Sequence, residues 1–62
     1  MEEMKTYIFT IGGQRYGTGA DTQMDAEFAF DVEVAPEHDT IDYTVEQVEL
    51  SSVVNDEGII WF

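Results

Sequence analysis

Sixty-two residues carry fourteen carboxylates against two formally cationic side chains, Lys5 and Arg15, for a net charge of −12. At 44% hydrophobic and 13% aromatic residues the chain is too apolar for disorder by composition, and its length suits one small domain, residues 1–62, with a core near the lower limit for folding alone. The absence of cysteine excludes disulfides and thiolate metal sites. No basic-then-apolar secretory pattern and no apolar run of about 18 residues occurs, so the expectation is a soluble protein of the cytoplasm.

In chain order, residues 1–4 read as a short acidic, flexible tail. Lys5 to Ile11, KTYIFTI, is dense in β-favouring residues, with Tyr7, Phe9 and Ile11 on one face and Ile8 on the other. Gly12-Gly13 supplies the backbone freedom of a tight hairpin, and Gln14 to Ala20 returns as a second strand. Gly17 and Gly19 weaken that strand and point to a bulge or to backbone closely covered by a helix. The GGQRYGTG stretch lacks the lysine spacing of a phosphate-binding loop.

Asp21 and Thr22 are candidate caps, and Thr22-x-x-Asp25 resembles a capping box. Two periodicities then compete. At 100° per residue Ala26, Phe28, Ala29, Phe30 and Val32 spread over a broad apolar face, with Gln23, Glu27 and Asp31 in a polar line. At 180° per residue Phe28, Phe30, Val32 and Val34 alternate with Glu27, Ala29, Asp31 and Glu33. The cap, Met24 and the alanines favour a helix of about three turns, which a small sheet needs as a covering layer, and a strand over 27–34 stays open. Pro36 ends either element, and both periodicities direct Glu27 and Asp31 to solvent.

Beyond a loop at 37–39, Thr40 to Val45 alternates with Ile41, Tyr43 and Val45 inward. The step from Val45 to Val48 breaks the pattern as a bulge or a lead-in, and Val48 to Val54 resumes with Val48, Leu50 and Val54 on one face. Asn55 to Gly58 is a turn, and Ile59 to Phe62, IIWF, a last strand. The expected architecture is α+β in ββαββ order: an antiparallel sheet of three to four strands with one face covered by one short helix. Tyr7, Phe9, Phe28 and Phe30 have the spacing of core residues.

No catalytic motif emerges. So many acids in so short a chain pair by chance, and a domain of this size has little room for a deep pocket, so acid–base hydrolysis finds no support. His38 between Glu37 and Asp39 lacks a second histidine or cysteine for a metal, and no calcium-loop pattern occurs, so neither metal nor cofactor is expected. Two cations cannot build the basic groove that nucleic acid requires.

The charge suggests the inverse role. Proteins grip duplex DNA with lysine and arginine because it carries one negative charge per about 1.7 Å of axis. A small acidic body can fill such a channel. On a helix Glu27 and Asp31 lie about 6 Å apart along the axis. Glu33 and Glu37 extend the charge, the strands add Asp42, Glu46 and Glu49, and the turn adds Asp56 and Glu57. These nine are the candidate partner-binding residues, since a charge of −12 costs stability through self-repulsion and exceeds what solubility needs.

The YIFTI strand, the A-D-T-x-x-D-A helix start at Ala20–Ala26 and the V-E-x-V-E-L strand at Val45–Leu50, in a tiny acidic chain without cysteine, resemble small α+β proteins of phages and mobile elements. Among these the chain is similar to acidic anti-CRISPR proteins, inhibitors of type I systems and of type I-C in particular. The resemblance implies a non-enzymatic protein that binds the RNA-guided surveillance complex (Cascade) and blocks target DNA at the basic surface reading the PAM-side duplex. It carries over no contact residue. The competing expectation is a structural or oligomerisation module, a virion accessory or an antitoxin-like partner, associating through IIWF as a dimer where the inhibitor is a monomer.

Overall fold

A computed structural model describes residues 4–34 and 42–62. Their elements run β1 (Lys5–Ile11), β2 (Gln14–Ala20), α1 (Gln23–Glu33), β3 (Thr44–Val48), α2 (Leu50–Val53) and β4 (Ile59–Trp61). The strands form one sheet in the order β3-β1-β2-β4. This is the expected α+β class, a small sheet with a short helix on it.

The β1–β2 hairpin closes as its sequence dictates. Ile11 pairs with Gln14 across a two-residue loop, and Gly12 and Gly13 take φ of 57° and 81°. Positive φ at both central residues matches the twist of the flanking strands and is cheap only without a Cβ. Opposite residues across an antiparallel pair share a face, so Tyr7, Phe9 and Ile11 lie on one side with Tyr16, Thr18 and Val45. Thr6, Ile8, Gly17, Gly19, Glu46 and Val48 lie on the other.

Helix α1 settles the competition between periodicities. Thr22 is its cap, extended at φ −136° and ψ 162°, and the Asp25 N–H donates to Thr22 Oγ1 at 3.2 Å. The helix ends at Glu33 with Val34 as C-cap, ahead of Pro36. It buries Ala26, Phe30 and Val34, which recur every four residues along one stripe. Phe30 stacks on Phe9, ring centroids 4.4 Å apart and planes 11° from parallel. Tyr43 and Phe62 lean on both rings, and Tyr16 meets Phe30 edge-on. Phe28, expected in the core, is 71% exposed. It sits 200° around the helix from Ala26 and from Phe30, so one cylinder cannot bury all three against a single sheet.

Two further expectations change. The stretch from Val48 to Val54 is not a continued strand: β3 stops at Val48, Leu50–Val53 makes one helical turn, and Leu50 and Val54 are exposed. Ser52 explains the stop, because its N–H and hydroxyl both donate to the Glu49 carbonyl, at 2.9 and 2.7 Å, which satisfies the backbone locally and competes with a ladder. Of the strand expected from Thr40, residues 40 and 41 lie outside the described residues, as does Glu37. The sheet is also mixed, since β4 pairs with β2 in parallel.

Parallel pairing follows from the path of the chain. Strands β2, β3 and β4 point the same way, so the chain crosses the sheet between β2 and β3 and again, in the opposite direction, between β3 and β4. Right-handed crossovers running in opposite directions fall on opposite faces. Side-chain placement agrees: α1 packs on the Phe9 face, while Leu50 joins Thr6, Gly19, Val48 and Trp61 around an open groove of about 500 Å³ on the other. Strand β4 is locked by its last residues, where the Phe62 N–H donates to the Gly17 carbonyl at 3.0 Å and buried Thr18 donates its hydroxyl to the Phe62 main-chain oxygen at 3.1 Å. Gly17 is therefore covered by Trp61 and not by a helix. A Cβ there would lie 2.6 Å from a Trp61 ring carbon and 2.9 Å from Ile59 Cγ2.

Replacing Gly17 with alanine should lower unfolding free energy by about 1–3 kcal/mol through this overlap. Urea titration measures it, and a loss under about 0.5 kcal/mol would mean that the indole moves aside at little cost.

Candidate functional site

The carboxylates, not a cleft, are the chemistry this fold displays. Of the ten acids among the described residues eight are exposed, and Glu27 and Asp56 are partly covered. Both cations are engaged within the fold. Lys5 Nζ donates to the Asp21 carbonyl at 3.1 Å, and Arg15 Nη2 lies 2.7 Å from Asp56 Oδ2, the one ion pair among the described residues. Among the described residues the other nine carboxylates make no ion pair.

The predicted acids divide into groups. On α1, Asp31 and Glu33 are exposed, as expected for Asp31. Glu27 departs from its expectation of free solvent exposure: its Oε1 accepts a hydrogen bond from the Tyr43 hydroxyl at 3.2 Å, and Oε2 accepts from Gln23 Nε2 at 3.4 Å. With Phe30 turned onto Phe9, the residue three positions earlier falls at the rim beside Tyr43. Burial first, then the bond to Glu27 and the charges of Glu27 and Asp31, raise the Tyr43 phenol above its ordinary 10.0. This contact brings exposed Asp42, adjacent in the chain to Tyr43, to the same end of the molecule as Glu27 and Asp31.

Glu46 is exposed opposite Ile8, on the sheet face turned away from α1, and exposed Glu49 precedes α2. Asp56 and Glu57 precede β4, across the sheet from β3 by three strand spacings, roughly 14 Å. Asp56 is committed to the turn as well as to Arg15: its Oδ1 accepts the Gly58 N–H at 2.8 Å. That backbone bond, followed by Arg15, holds its carboxyl below the usual range. The eight candidates among the described residues are thus not one surface. Glu27, Asp31 and Glu33 on α1 with Asp42, joined by Asp25, which was not a candidate, form the densest group; Glu46 and Glu49 are a second; Asp56 and Glu57 are a third, half of it neutralised.

An apolar stripe that includes Phe28, which the sequence reading placed in the core, lies among the first group. Met24, Phe28 and Val32 are 79%, 71% and 57% exposed. Their spacing of four residues mirrors that of Ala26, Phe30 and Val34, so two apolar stripes on opposite sides of one helix were the available signal. Among the described residues no three acidic or histidine side chains converge as a metal site would require, and no helix is long and apolar enough to cross a membrane. Compared with protein-family models, curated proteins and solved structures, the chain has no match in any of the three.

Two outcomes test these electrostatics. A group whose folded pKa is depressed contributes stability above its unfolded pKa and loses it as pH falls through the folded value. Asp56 should therefore contribute at neutral pH, and that part should disappear below the ordinary carboxylate range, about 3.9. Urea unfolding of wild type and Asp56→Asn at pH 7 and pH 2.5 should show a gap at the higher pH that narrows at the lower; equal gaps would exclude ionic stabilisation by Asp56. Uncompensated charge elsewhere predicts a melting temperature that rises as the Debye length shrinks from about 30 Å to about 8 Å with added salt. A flat or falling curve would contradict net repulsion.

Proposed function

We propose that the protein is a non-enzymatic, DNA-mimicking inhibitor that occupies a basic DNA-binding surface of another protein and keeps DNA out. One observation carries this reading: among the described residues ten carboxylates stand against two cations, each of which already contacts the protein's own oxygens. Such a surface repels nucleic acid and is drawn by long-range attraction to the lysine- and arginine-lined channels that bind it, giving fast, salt-sensitive docking. The helix end of the molecule, with Asp31, Glu33 and Asp42, is the leading contact region, and Glu46 and Glu49 add negative charge from a separate group. The resemblance to acidic anti-CRISPR proteins points to the PAM-reading surface of a type I surveillance complex in the bacterial cytoplasm as the target.

Association through the C-terminal strand has weaker support. Phe62 packs against Phe9, Tyr16 and Phe30, Ile59 is buried, and Trp61 lies over Gly17, so three of the four IIWF residues serve the fold itself.

A mobility-shift assay with a type I-C surveillance complex and its target duplex tests the proposal. Pre-incubation with a slight excess of the protein should abolish the DNA shift. Asp31→Lys combined with Glu33→Lys should raise the half-inhibitory concentration about tenfold or more, with an unchanged unfolding midpoint. An unaltered DNA shift at high excess overturns the target, and full potency of the double variant overturns the role of the helix.

A further inference from the structure

A purely electrostatic mimic needs no apolar side chains at its contact surface, yet the outer face of α1 carries three. Met24, Phe28 and Val32 project from the helix opposite the stripe that packs on the sheet, over about 12 Å of axis. Glu27 and Asp31 run along one side of this stripe and Asp25 borders the other, and α1 contains no cation. In so small a chain, where core residues are scarce, three large apolar side chains left in water on a well-formed helix mark an interaction surface.

The acidic border selects the occupant. A second copy would bring two sets of like-charged borders together at the 8–10 Å spacing of packed helices, about one Debye length at physiological salt. An anionic bilayer or a nucleic acid would meet the same repulsion. A protein cleft that is apolar at its floor and carries lysine or arginine at its rim satisfies both features at once, by the helix-in-groove mode. We infer that α1 docks its outer face into such a cleft, with Phe28 as the central anchor and Asp25, Glu27 and Asp31 meeting the basic rim. This rests on the reading of a basic protein partner given above and deepens it: the target is recognised by shape and apolar contact as well as by charge.

Two synthetic peptides of equal positive charge separate these contributions, an amphipathic leucine–lysine helix and an oligolysine. Binding to the full chain is measured by calorimetry at physiological ionic strength. The wild type should bind the amphipathic peptide at least about tenfold more tightly than oligolysine. Met24→Ser with Phe28→Ser should remove most of that margin while leaving oligolysine affinity and the unfolding midpoint unchanged. Leu50→Ser, in the groove on the other sheet face, should preserve it. A margin that survives the double substitution, or that disappears with Leu50→Ser, overturns the assignment to α1. Equal binding of both peptides by the wild type overturns the apolar anchor and leaves the basic-partner reading standing; binding of neither overturns both. Sedimentation at several hundred micromolar should show a monomer, and a dimer abolished by Phe28→Ser would assign the stripe to a second copy instead.

Discussion

Phe9 and Phe30 meet face to face at 4.4 Å, and the rings of Tyr16, Tyr43 and Phe62 gather around them. These five side chains come from β1, β2, α1, the residue before β3 and the residue after β4, so the cluster ties together nearly every element of a chain too short for a large core. It also sets the rotation of the helix. Once Phe30 is turned onto Phe9, Glu27 is carried to the rim beside Tyr43, and Met24, Phe28 and Val32 have nowhere to go but outward. The display surface is a consequence of the core.

The same cluster must hold against charge. Among the described residues the repulsion between ten carboxylates is offset by one ion pair, whose partners are both partly exposed and which therefore contributes little in water. Asp56 is more usefully seen as a turn residue, its carboxylate receiving the Gly58 N–H as the chain swings into β4. The acids are segregated by the topology: α1 carries four of the ten, Glu46 and Glu49 lie in and just after β3, and Asp56 and Glu57 precede β4 across the sheet, with Asp56 paired to Arg15. The densest acidic group therefore lies on α1, where it coincides with the exposed apolar stripe.

Much of the scaffold was legible because it rests on local chemistry. The bounds of β1 and β2 follow from β-favouring residues interrupted by Gly12-Gly13, and the helix start follows from Thr22, whose hydroxyl accepts the Asp25 N–H. Less legible were features in which two local patterns were equally good. Leu50 continues the alternation of a strand, yet Ser52 bonds back to Glu49 and the backbone turns. Phe28 and Phe30 are both plausible core residues by hydropathy, and only one helical stripe can face a single sheet. For the candidate site, the exposure of Asp31, Asp42, Glu46, Glu49 and Glu57 agrees with their placement as surface acids, whereas the engagement of Glu27 by Tyr43 and of Asp56 by Arg15 involves partners distant in the chain.

By itself the sequence determined the class of fold, the hairpin and the sign of the surface, and favoured the helix without closing the strand alternative, because composition, turn residues and caps act over a few neighbouring positions. The tertiary structure alone decided which apolar stripe of the helix became core, that β4 runs parallel to β2, and how the carboxylates divide among faces. Those outcomes depend on which rings meet across the sheet, and that contact joins residues far apart in the chain.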